Sequence, residues 1–120
     1  MEKYSQGVQV YKKTVLIKEE LYGENNESLL LSLKNLGQCH YMNKSESEAI
    51  NVFERAISLG EKVIPTMTEK EPRRQAQMNL SEIMFTLFSL YDAAKSYQKA
   101  IDVIDKQHNL MKELHGEKST

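Results

Sequence analysis

The chain has 120 residues, room for one domain. Its 16 basic side chains nearly cancel its 17 acidic ones, which excludes the strong positive field that draws in a nucleic-acid backbone. The apolar runs fall far short of the ~20 residues of a membrane-spanning helix, and Met1-Glu2-Lys3-Tyr4-Ser5-Gln6 opens onto no apolar block of a secretory signal.

Hydrophobic periodicity and punctuation predict five helices, over 3–22, 27–42, 46–63, 69–87 and 90–114. Gly23-Glu24-Asn25-Asn26 reads as the turn that ends the first. Ser45 with Glu48 three residues on reads as a capping box opening the third. Pro65 stops that helix, and Pro72 is tolerated only in the first turn of the next. No segment alternates as a strand. Residues 1–116 thus form one helical domain, and 117–120 a C-terminal tail.

An internal repeat runs through these elements. Gly7, Tyr11 and Thr14 recur as Ala49, Phe53 and Ala56, and again as Ala93, Tyr97 and Ala100. Each set is a small residue, an aromatic four on, and a small residue three further, so all three share one helix face. The aromatics are spaced by 42 and 44 residues. Leu33-Lys34-Asn35-Leu36-Gly37 likewise recurs as Gln77-Met78-Asn79-Leu80-Ser81. Small residues let helices approach closely while the aromatic fills the gap between them. The expected core is Leu36, Phe53, Ala56, Leu80, Tyr97 and Ala100.

This pattern resembles the tetratricopeptide repeat, and more closely its longer kinesin-light-chain and nephrocystin-like variant. The resemblance rests on Tyr4 through Leu21-Tyr22-Gly23, on Leu33-Lys34-Asn35-Leu36-Gly37-Gln38-Cys39-His40, and on Glu48-Ala49 through Glu61-Lys62-Val63. It implies an all-α solenoid of antiparallel helix pairs, about two and a half repeats. The chain departs from that type where His40 replaces an aromatic, Lys44 a turn glycine, Glu46 an aromatic and Ser81 a glycine or alanine. The resemblance also implies that the first helix of each pair lines a concave, peptide-binding face. The residues facing inward would be Lys34, Asn35, Gln38 and Tyr41 in one repeat, and Met78, Asn79, Glu82 and Phe85 in the next. Asn35 and Asn79 would occupy equivalent places there. Lys34 and Asn79 match in part the set that clamps a C-terminal carboxylate, which Gln38 and Glu82 leave incomplete.

Catalytic chemistry is not legible. Cys39 and His40 are helical neighbours and point about 100° apart, so they do not face one another. His108 and His115 stand two turns apart with no third Cys or His to complete a metal site. The five glycines are scattered and form no phosphate loop. The expectation is a non-catalytic scaffold or adaptor without cofactor or metal, binding other proteins inside a larger complex and inserting in no membrane. A peptide- or cargo-binding groove of the kinesin-light-chain kind is the alternative. An RNA-binding helical repeat is a remote one, since it needs a period near 35 and a basic face. A single cysteine fits a reducing, cytoplasmic setting, with cytoskeletal or ciliary association open. The ends of the array are expected to leave apolar side chains for contacts, Val8, Tyr11 and Val15 at one end and Leu110, Met111 and Leu114 at the other.

Overall fold

The computed structural model describes residues 2–119, with side chains from 3 to 116. Among the described residues five α-helices follow one another: α1 (Glu2–Tyr22), α2 (Ser28–Met42), α3 (Glu46–Val63), α4 (Lys70–Ala93) and α5 (Tyr97–Ser119). There is no strand among the described residues. Each helix packs on the next, and α2 also packs on α4. The pairs α2/α3 and α4/α5 are therefore stacked side by side, with α1 packed against the first pair. The slab is only 20 Å thick across extents of 46 and 38 Å, which is two helix diameters.

The turns explain where the helices stop. Gly23 adopts a φ of 84° and its N–H bonds Glu19 O, a C-cap that glycine accepts without steric cost. Pro65 lies in a 3-10 turn, Ile64–Thr66, between α3 and α4. Ser45 stands at the N-cap of α3, but its side chain makes no capping bond. Glu48 is drawn instead to His40 Nδ1, 3.4 Å away. The capping box read from the sequence is thus not formed.

The second pair is displaced from its expected register. α4 runs to Ala93, not 87, and α5 begins at Tyr97, not 90. Lys44 and Lys95, 51 residues apart, hold the same left-handed backbone, φ 63° and 61°. Each costs about 1 kcal/mol relative to glycine there. The bonds around them match as well: Ser45 N–H to His40 O and Ala49 N–H to Ser45 O in one turn, Ser96 N–H to Tyr91 O and Ala100 N–H to Ser96 O in the other. Ala100 is therefore the counterpart of Ala49, not of Ala56. Tyr97, expected in the core, is 58% exposed at the start of α5. The slip is seven residues, two helical turns, which rotates a residue by only about 20°. Periodicity is nearly blind to such a slip; the turn is not.

The remaining expected core residues, Leu36, Phe53, Ala56, Leu80 and Ala100, are buried. Phe53 is the largest fully buried side chain and lies against Gly37 of the facing helix. The segment read as a tail continues α5 through Ser119, and Thr120 lies outside the described residues.

Candidate functional site

The first helices α2 and α4 lie against each other, so their outer faces form one surface. Helical spacing puts Leu31, Asn35, Gln38 and Met42 along α2, and Met78, Glu82, Phe85 and Ser89 along α4. Leu31, Tyr41, Met42, Met78 and Phe85 are exposed on these two helices, while Asn35 and Gln38 are half-buried. The Phe85 ring also leans on Phe88, with centroids 6.4 Å apart. The sequence reading missed Leu31 and Met42. Their spacing of four, three and four residues with Asn35 and Gln38 would have revealed them.

A polar bridge crosses the middle of this surface. The Lys34 ammonium donates to Asn79 Oδ1 at 3.2 Å and to the Glu82 carboxylate, tying α2 to α4. Lys34 is thereby largely buried and its charge is answered within the chain. Asn79 is buried, with its acceptor occupied, so it does not offer that oxygen to an incoming backbone. By the 51-residue offset Asn35 corresponds to Thr86, and Asn79 to Ser28. The two asparagines are not equivalent, and Lys34 with Asn79 forms a helix-to-helix bond in place of a carboxylate clamp.

The apolar residues expected as end contacts are placed differently from the expectation. Val8 and Val15 are buried and Tyr11 half-buried on α1, which packs on α2. Leu114 is buried, and Leu110 and Met111 are half-buried. α4 and α5 have nearly equal lengths of 24 and 23 residues, so α4 covers α5 further along than the expected boundaries allowed. Met111 and Leu114 line a cleft of about 220 Å³ together with Arg74, Met78, Glu82 and His115. The structure thus brings Met78 and Glu82, expected on the inward face, together with two expected end contacts.

The protonatable groups are arranged for packing. Burial pushes the Cys39 thiol up from its usual range, which keeps it protonated and a poor nucleophile. The Tyr91 hydroxyl donates to the Glu54 carboxylate, and burial together with that acceptor pushes its pKa far up. Lys99 lies 5.8 Å from the Tyr91 ring centroid, where Glu48 stands by His40 one repeat earlier. No group of three His, Cys, Asp or Glu side chains converges on a metal-sized site among the described residues.

Burial holds the His40 imidazole below its ordinary pKa of 6.5; Glu48 opposes that shift and Lys12 adds to it. The unfolded chain therefore takes up the proton first as the pH falls. Stability is full while both states are neutral and is lost as the pH drops below about 6.5 toward the folded value. Thermal melts across this range should show that loss, and His40→Gln should flatten it.

The matching turns define two copies of one unit, a helix pair joined by the same turn. Residues 1–62 match the family described as tetratricopeptide repeat, just over half of the chain. The chain belongs to this family. The α4/α5 tetratricopeptide unit lies beyond the matched residues, but its turn copies that of α2/α3 bond for bond. No curated protein and no solved structure matches the chain significantly. Tetratricopeptide repeats generally mediate protein–protein interaction and are generally non-catalytic. No helix among the described residues is long and apolar enough to cross a membrane.

Proposed function

We propose that this tetratricopeptide protein is a scaffold or adaptor that holds a segment of another protein on the face shared by α2 and α4. The observation that carries this reading is the set of exposed apolar side chains there, Leu31, Tyr41, Met42, Met78 and Phe85. Large apolar side chains grouped on a surface otherwise rimmed by polar ones mark interaction sites. Because Lys34 is engaged by Glu82 and Asn79, the segment is selected by apolar anchors and not by a terminal carboxylate. Resemblance to the kinesin-light-chain type supports a cargo-like peptide as the ligand. The single unpaired cysteine supports a reducing cellular setting, within a larger assembly.

Peptides selected from a displayed library on the wild-type chain test the reading. Met78→Ala with Phe85→Ala should weaken their binding by about tenfold or more. Both side chains are exposed, so the thermal melt should barely move. Undiminished binding would place the contact elsewhere on the molecule.

A further inference from the structure

The molecule holds a template for a contact that α1 does not make. In α3, which has α2 alongside, Ala56, Leu59 and Val63 are buried. The residues 42 positions earlier on α1 are Thr14, Ile17 and Leu21. There Ile17 is 45% exposed and Leu21 66%, against 6% and 5% for Leu59 and Val63. Val10, at 60%, extends the stripe. Thr14 bonds its hydroxyl to Val10 O at 2.9 Å, satisfying its polar atom on its own helix. Val10, Thr14, Ile17 and Leu21 follow steps of four, three and four residues, the spacing of a coiled-coil seam. Lys18 of α1 reaches Ser28 O and Ser32 Oγ of α2, which sets the exposed Leu31 beside this seam.

We propose that a second copy of this chain covers the stripe, its α1 antiparallel to the first. Such a pairing sets Val10 against Leu21 of the second copy and Thr14 against Ile17, and the two-fold axis repeats both layers. The residues that meet across the edge of the seam are then Lys13 and Glu20 of the second copy, twice. Both are exposed. A slip of one heptad in either direction sets Lys13 against Lys13 or Glu20 against Glu20, and a parallel pair sets Lys13 near Lys18. Opposite charges thus select one orientation and one register. The opposite end of the array is less suited to such a contact. The counterparts of Ile57 and Ile64 on α5 are His108 and His115, both exposed.

Leu31 borders both surfaces, but the substitutions that test this contact, at Leu21, Lys13 and Glu20 of α1, share no residue with those that test the peptide surface, so the two readings fail separately. Sedimentation equilibrium of the full chain over a concentration series is the test. A mass rising from 13.9 kDa toward twice that value is expected. Leu21→Glu should weaken the association about tenfold or more. Lys13→Glu alone should weaken it too, and Lys13→Glu combined with Glu20→Lys should restore it. Circular dichroism confirms that each variant folds, since all three positions are exposed. A monomer at every concentration overturns the proposal, as does a dimer indifferent to Leu21→Glu. A double charge reversal that fails to restore the dimer overturns the antiparallel seam.

Discussion

Phe53→Ala is expected to lower the unfolding free energy by about 3–5 kcal/mol, the usual cost of emptying a buried aromatic site. Phe53 is fully inaccessible and belongs to the cluster that runs from Val15 through Leu29, Leu30 and Leu33 to Leu87 and Leu90. Its ring fills the space opened by Gly37, so truncation leaves a void that neither helix closes without shifting as a whole. For a domain of this size such a loss is a large share of the ~5–15 kcal/mol that separates folded from unfolded chains. Urea unfolding followed by circular dichroism measures it. A change below about 1 kcal/mol would mean that the ring is not the keystone of the α2/α3 pair.

Gly37→Ala tests the same contact from the other side, and two effects oppose each other. Alanine is the better helix former by about 1 kcal/mol in a helix interior. Yet a Cβ on Gly37 would lie 2.4 Å from Phe53 Cε1 and 2.7 Å from Cδ1 and Cζ. The ring is enclosed on all sides and cannot swing clear, so the helices must separate. Overpacking of this kind costs about 1–3 kcal/mol, and a contact this short belongs at the upper end. The net expectation is a loss of about 1–2 kcal/mol, the steric term outweighing the propensity gain. The discriminating measurement is the double-mutant cycle. In the Phe53→Ala background the clash is absent, so Gly37→Ala should become neutral or stabilising. Additive losses would show that alanine at 37 is rejected by something other than the ring.

The self-association and peptide-surface predictions separate cleanly from these two. Met78, Phe85, Leu21, Lys13 and Glu20 are all exposed, so their substitutions read binding without the penalty of a core vacancy. His40 is the converse case. It is buried with a carboxylate on one side and Lys12 in range, and its titration reads stability and not binding.

The sequence alone determined the fold class, and the reason is local. Apolar residues at helical spacing, small residues one turn from aromatics, and prolines and a glycine at the breaks each act within a few residues. They place α1, α2 and α3 to within one or two residues. The tertiary structure decided the register of the second pair. A seven-residue slip leaves every side chain on nearly the same face, so the pattern of Ala93, Tyr97 and Ala100 fits two alignments. The Lys-Ser step recurring at 44–45 and 95–96 was the available signal, but its weight comes from a backbone conformation that residue type barely encodes. The same holds for the candidate site. The resemblance to the tetratricopeptide repeat implied that Lys34, Asn79 and Glu82 face inward from first helices, but could not show that they bond to one another across α2 and α4. Whether a polar side chain faces a ligand or its neighbour depends on the distance between two helices, and the packing of the shared core sets that distance.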